Sequence, residues 1–464
     1  MRSSGFRRTW TTAAIAAAFA LTAAACGTSS TDEGGGSDPG SDAGKPLDKK
    51  AKVTISIDCM PTKTKDDELK GWNRDIKAFK KLYPNVTIKG KATDPCLEPP
   101  RFTAMLKAKS QPDVFYAYFT DRQQILDNDA AQDITPYVNN KTVPALGDIS
   151  GNVLNDLKSD DKLYGLPREH YSMGLLVNRK LFKKAGLDPD KPPTTWEEVR
   201  SASKKIAGLG GGVNGFGIYS ATNQGGWHFT ASVYSRGGSV VTPDGKKAAF
   251  NDDTGKAVLQ QLKDMRFKDE SMGKTQLLKW GDLQKQMVSD KLGMFLAAPD
   301  DLNMMAQQLD AEYSRFGMGP IPGQKYTLTG GDAYYVKKGI SPEKTKAAIA
   351  WLNFRFLSQG KGRFDWPKIK TDGLPVGLPQ PDFWTGETRK KDDAAREKDA
   401  TVPVENFQAF RDNPVPGKTE PAKAQEVYKI LDVAMSTVLT NKNADVDKLL
   451  DTAEQQVNQV LANG

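Results

Sequence analysis

Histidine and cysteine are scarce, with 2 and 3 among 464 residues. Two histidines cannot build a His-rich metal centre, and neither a His-Glu-x-x-His nor a Cys-x-x-Cys spacing occurs. No run of about 18 apolar residues follows the first 30, which excludes a multi-pass membrane protein. There is no internal repeat and no Gly-x-Ser-x-Gly elbow. Gly210 to Gly215 formally match a dinucleotide loop, but they follow a helical stretch where a strand is required, so a flexible loop is expected. Gly273-Lys274-Thr275 and Gly417-Lys418-Thr419 end like phosphate loops, yet Lys268 and Asp412 stand where the earlier glycine belongs. A carboxylate pair such as Asp300-Asp301 suits general acid–base chemistry, but with 57 acidic residues such neighbours arise by chance. No catalytic residue, metal or cofactor is expected.

What is present describes an exported protein. Arg2, Arg7 and Arg8 precede an apolar stretch over residues 13–25, too short to span a bilayer and suited to a signal peptide. Leu21-Thr22-Ala23-Ala24-Ala25-Cys26-Gly27 looks like a bacterial lipobox, with Cys26 the lipid-modified residue; an ordinary signal with an incidental cysteine is the alternative. The Gly/Ser/Asp-rich run after Cys26 is nearly free of apolar residues and reads as a flexible tether. Once the signal's three arginines are removed, the net charge falls from +8 to +5. The lysines scatter over helical faces, as at Lys63, Lys70, Lys77 and Lys81, which argues against nucleic acid as a partner. In an oxidising compartment Cys59 and Cys96 form an even pair, and a disulfide between them is expected.

The whole sequence is 38% hydrophobic and 26% charged, enough for two or three globular lobes at this length. Val53 to Ile57 alternate as a strand. Leu69, Trp72, Ile76, Phe79 and Tyr83 then mark one helix face that ends at Pro84. Strands at residues 86–88 and 113–118, with a helix between them, give an α/β lobe with a mainly parallel sheet. Thr195-Trp196-Glu197-Glu198 is a capping box, Ser341-Pro342 opens a helix carrying Trp351, and a last amphipathic helix covers residues 422–439.

Several segments resemble one family in order and spacing. They are Gln111-Pro112-Asp113-Val114, Asp133-Ile134-Thr135-Pro136-Tyr137-Val138, and Lys162-Leu163-Tyr164-Gly165-Leu166-Pro167 leading to Leu176-Val177-Asn178-Arg179. Pro193-Thr194-Thr195-Trp196, Gly317-Met318-Gly319-Pro320, Gly330-Gly331 and Gly373-Leu374-Pro375-Val376 continue the series. Together they are similar to extracellular solute-binding proteins of ABC importers, the maltose-binding-protein-like sugar-binding group. The resemblance implies a two-lobe α/β fold of the type II periplasmic-binding kind, with three hinge crossovers near residues 166–168, 318–322 and 373–379. It implies a signal peptide over 1–25, a lipid-anchored tether over 26–48, one lobe of 49–167 with 319–372, and a second of 168–318 with 373–464. It further implies a monomer at the outer membrane face that takes a small-molecule solute, an oligosaccharide above all, and hands it to permease subunits.

Sugars offer apolar C–H faces and a rim of hydroxyls, so their sites want aromatic platforms beside planar polar groups. By the resemblance, Trp227 sits where a stacking aromatic stands, with core packing as the competing reading. Arg168, Glu169 and Tyr171 follow the first crossover, where relatives line the cleft; a surface ion pair is the alternative for the first two. Asp121 and Asp332 face ligand in relatives, or else cap local turns. At Ala298-Pro299-Asp300-Asp301 the family's aromatic is replaced by two carboxylates, which leaves room for a cationic solute, and Trp280 is a substitute platform. A same-fold receptor for a non-sugar solute and an exported carbohydrate-active enzyme using Asp300 and Asp301 remain as competing readings.

Overall fold

The computed structural model describes residues 42–63, 66–92, 99–379 and 383–462. The signal segment, Cys26 and Cys96 lie outside these, so the expected Cys59–Cys96 bridge falls outside the described residues. Ala43 and Leu47, at the end of the expected tether, are buried, and Asn139 Nδ2 donates to the Gly44 carbonyl at 2.9 Å.

The first core grows around strand Val53–Ile57, which pairs in parallel with Val86–Gly90 and with Val114–Tyr118. Helix Asp66–Leu82 buries Trp72 and Phe79, two of the residues whose spacing marks its apolar face. Helix Pro342–Phe356 begins where Ser341 accepts the Lys344 N–H at 3.3 Å, and its fully buried Trp351 meets Trp72 and Phe79 edge-on at 5.6 and 5.2 Å. Such aromatic pairs each stabilise by about 0.5–1.5 kcal/mol beyond the area they bury. The sheet is mixed rather than mainly parallel. Its long strand, Thr327–Val336, runs antiparallel to both Val114–Tyr118 and Gly165–Ser172, because it enters from the second core and not through a strand–helix–strand crossover.

The second core is built on a four-stranded sheet in the order Phe316–Pro320, Gly174–Asn178, Leu292–Ala297, Asn214–Gly217. Every residue of Leu292–Ala297 is buried, as a strand covered on both faces requires. The capping box holds: Glu198 N–H donates to the Thr195 hydroxyl and Thr195 N–H to the Glu198 carboxylate, both at 3.1 Å, opening helix Trp196–Ala207. Gly210, Gly211 and Gly212 then turn with positive φ in a loop between that helix and a strand. Helix Gln224–Ser235 packs on Ala424–Thr440; a Cβ at Gly226 would lie 2.3 Å from the Tyr428 Cα, so only glycine allows this approach. A further helix, Val446–Ala462, follows the one expected to be last.

Among the described residues the chain passes between the cores three times. Leu166 belongs to the first and Met173 to the second; Leu328 to the second and Ala333 to the first. The third passage runs from Trp384 in the first core through helix Gly386–Lys398 to Val402, which packs with the second sheet. Two of the three passages are therefore the paired strands Gly165–Ser172 and Thr327–Val336.

Candidate functional site

The pairing of these two strands carries an irregularity. Asp332 sits opposite Glu169 and Ala333 opposite Pro167, so Arg168 is the extra residue of a bulge. A bulge re-aims the side chains beside it. Arg168 and Glu169 would point to opposite faces of a regular strand, yet here they meet at 3.0 Å. Arg168 also grips Asp332 with two parallel hydrogen bonds of 2.6 Å, the bidentate geometry that suits a guanidinium to a carboxylate. Asp332 is buried and accepts a third bond from the Tyr116 hydroxyl at 3.0 Å, while the guanidinium lies 5.2 Å over the Tyr116 ring. Arg363 approaches Glu169 to 4.0 Å from the first core.

From the second core, Asp300 opens helix Asp300–Leu309 and is exposed to solvent. Protein crowding and the neighbouring Glu169 carboxylate push its pKa up to about 6, with Asp332 adding to the same effect. Asp300 therefore acts on the hinge cluster from the other core. Asp301, next in sequence, is placed differently. It is fully buried, accepts a hydrogen bond from the Gln284 side-chain N–H and accepts the Ala298 N–H at 3.0 Å. The two neighbours do not form a carboxylate pair facing one space.

Aromatic rings run from the hinge into the second core. The Trp227 indole N–H donates to the Tyr171 hydroxyl at 3.0 Å, with the rings edge-on at 6.0 Å. Trp227 then stacks on His228 at 5.2 Å, His228 on Tyr219 at 4.5 Å, and Tyr219 reaches Trp280 at 6.4 Å. Trp280 is 39% exposed and ends the run at solvent. His228 is fully buried, with a pKa pushed down to about 3 by burial; it accepts the Tyr219 N–H at 3.1 Å as a packed, hydrogen-bonded residue.

Glu420 completes the group. It takes the Tyr428 hydroxyl at 3.1 Å and a bond from Tyr171, and burial lifts its pKa to about 7. A Cβ at Gly330 would lie 2.5 Å from the Tyr171 hydroxyl and 2.6 Å from Glu420 Oε2, so the bare glycine lets both lie against the strand. Asp121 is half-buried, accepts the Tyr118 N–H at 3.1 Å in a local turn, and is raised to about 6 by burial; its charge also raises Glu420.

Among the residues singled out in the sequence, Arg168, Glu169, Tyr171, Trp227, Asp300 and Asp332 converge, Trp280 joins through ring contacts, and Asp121 stands at the edge. Tyr116, Tyr219, Arg363 and Glu420 escape the sequence reading. Tyr116 looks like one more apolar strand residue, and Glu420 sits beyond a Pro-rich stretch with no pattern to mark it. Among the described residues no His/Cys/Asp/Glu group is arranged to hold a metal, and no helix is long and apolar enough to cross a membrane.

Comparison with known proteins agrees with this architecture. A binding protein of Brucella abortus is 27% identical over 165 residues, covering 35% of this chain and 38% of that protein, so the chain spans well under half of that relative's length. The sn-glycerol-3-phosphate-binding periplasmic protein UgpB of Brucella melitensis is 26% identical over 318 residues, or 66% of this chain and 69% of that protein. The cyclic alpha-maltosyl-1,6-maltose binding protein of Arthrobacter globiformis superposes with a TM-score of 0.67 at 21% identity, covering 89% of this chain and 100% of that one. The fold is thus the two-lobe, type II periplasmic-binding architecture. Residues 63–360, well over half of the chain, match the model of one family, and the protein belongs to the bacterial extracellular solute-binding proteins.

Proposed function

We infer that the protein captures a sugar or oligosaccharide between its two cores and delivers it to the permease subunits of an ABC importer, by reversible binding and without turnover. The lobes are the two cores, and closure turns about the paired strands Gly165–Ser172 and Thr327–Val336. Cys26 carries the lipid that holds the receptor at the outer membrane face, as a monomer. One observation carries this reading: an aromatic run from Tyr171 to Trp280 lies beside a hinge cluster of carboxylates and guanidinium groups. Rings stack on the C–H faces of a sugar, and the charged groups bind its hydroxyls.

A second reading has its own support. Four carboxyl groups, Glu169, Asp332, Asp300 and Glu420, stand around two guanidinium groups, Arg168, committed to Asp332, and Arg363, nearest Glu169. The surplus is negative, which suits a cationic solute and opposes an anion such as the glycerol phosphate named for the Brucella relatives. Thermal unfolding across oligosaccharides, polyamines and sn-glycerol 3-phosphate separates the readings. A ligand at about 100 times its Kd adds roughly 2.7 kcal/mol of stability. A shift with an oligosaccharide recovered intact supports the sugar receptor. A shift with polyamines alone transfers the assignment to a cationic solute, and consumption of the sugar overturns the receptor reading.

A further inference from the structure

Behind the hinge lies a cavity of about 510 Å³ that none of the groups named above occupies except in its wall. Both cores build it: Phe383 and Trp384 come from the first, Met173 and Ile321 from the second, with Phe410 beside them and His170 from the hinge strand. His170 alternates with Glu169 and Tyr171, so one strand presents the charged cluster on one face and this cavity on the other.

The polar groups of the wall are unevenly matched. The Trp384 indole is 3% exposed, and its buried Nε1–H has no hydrogen-bond partner. Both ring nitrogens of His170 are buried and equally without partners, and burial lowers its pKa to about 4, so the neutral ring keeps one N–H donor. Arg411, half-exposed on the same wall, makes no ion pair or side-chain hydrogen bond among the described residues. The acidic residues of the wall are already engaged or wet. Asp393 is bound by Arg396 at 2.7 Å and Arg389 at 3.5 Å, Asp392 accepts the Trp366 indole at 2.8 Å, and Asp412 is exposed at the rim. Unsatisfied buried donors cost free energy that an acceptor of matching geometry recovers. What remains is the Trp384 N–H, one N–H donor and one acceptor nitrogen of His170, and the cationic Arg411, set among flat apolar rings.

We propose that this cavity is a second binding site, for a small carboxylate with an aromatic or apolar body, its carboxylate on Arg411 and the Trp384 N–H and its body among Phe383, Trp384 and Phe410. The site bridges both cores, and its test needs no knowledge of the transported solute.

The protein's two histidines make the experiment clean. Imidazole resonances of the ¹⁵N-labelled protein are followed by NMR during titration with benzoate, His170 being assigned by its loss in His170→Gln. The expected result is a saturable movement of the His170 signals with His228 unmoved, and binding about tenfold weaker for uncharged benzamide and in Arg411→Gln. Arg411 has no partner to lose, so that variant leaves the fold intact; Trp384→Phe, which keeps an aromatic ring and removes the N–H, gives a second, independent weakening. His170 signals that stay fixed up to about 20 mM benzoate overturn the proposal. Equal binding of benzamide, or undiminished binding in Arg411→Gln, overturns it as well.

Discussion

The two faces of the hinge strand Gly165–Ser172 settle their polar groups in opposite ways. On one face, Arg168, Glu169 and Tyr171 are tied to Asp332, Arg363, Trp227 and Glu420, so nearly every charge meets a counter-charge or a hydroxyl. On the other, the ring nitrogens of His170 meet no hydrogen-bond partner among the described residues. The difference follows from where the neighbouring chain comes from. The charged face is lined by the long strand and by residues of both cores that carry complementary groups, whereas the back face looks across a void to rings, to Arg389 and Arg396, both engaged with Asp393, and to Arg411. A face with matched charges fixes geometry, and a face with unmatched donors leaves binding capacity unspent.

Removing the strongest match tests the charged face most severely. Asp332→Asn leaves the guanidinium of Arg168 without its bidentate partner. Breaking a buried pair from one side is expected to cost about 3 kcal/mol, at the lower end of the usual range because Arg168 is 32% exposed. Urea unfolding measures this, and a loss below about 1 kcal/mol would mean that the pair does not hold the hinge. Gly331→Ala comes next. Its Cβ would fall 2.3 Å from the Glu169 carbonyl and 2.7 Å from the Phe119 ring, and forcing the strands apart there should cost about 2 kcal/mol. A neutral outcome would show that the pairing of the two hinge strands gives way without penalty.

The charged face was partly legible in the sequence and the back face hardly at all, for a physical reason. Arg168, Glu169 and Tyr171 lie next to one another in a segment with a recognisable pattern, and Gly330-Gly331 marks the strand that approaches them. The bulge that brings Arg168 and Glu169 to one face leaves no mark in composition. Asp300 and Asp301 look equivalent in sequence, and only the burial of the second, turned toward Gln284, separates them. The first helix of the first core was readable because Leu69, Trp72, Ile76, Phe79 and Tyr83 repeat at helical spacing. Helix Val446–Ala462 keeps such a stripe at Leu450, Ala453, Val457 and Leu461, but an alanine in it and the polar residues between make the signal weak. The cavity behind the hinge joins residues some 240 positions apart, as His170 and Arg411 illustrate, and no local pattern reports that kind of encounter.

A pH experiment sharpens the comparison further. The Glu420 carboxyl is lifted by burial to about 7 in the folded protein, well above its ordinary value of 4.5. Between those two values the folded state holds the proton more tightly than the unfolded chain does, so this group's contribution to stability falls as pH rises from about 4.5 to 7 and stays low above that. Glu420→Gln keeps an acceptor oxygen for the tyrosine hydroxyls and removes the charge. The variant should gain about 1 kcal/mol over the parent at pH 8, discounted for partial solvent access, and gain nothing at pH 4.5. Tm measured across that range checks the sign, and a parent protein that grows more stable from pH 5 to 8 on account of Glu420 would contradict it.

The smallest effect on stability is expected at the outer end of the aromatic run. Trp280 is 39% exposed and touches the packed rings only through Tyr219, so its removal opens no interior cavity. Trp280→Ala should therefore change unfolding free energy by no more than about 0.5 kcal/mol, as exposed substitutions usually do. If the ring is a platform for sugar, the same change should weaken oligosaccharide binding about tenfold, the loss of one good stacking contact, and Trp280→Phe should recover part of it. A stability loss above about 2 kcal/mol would make Trp280 a packing residue and end the platform at Tyr219. Unchanged stability with unchanged affinity would instead confine recognition to Trp227, Tyr171 and the carboxylates at the hinge, where every contact that positions solute also positions the two cores.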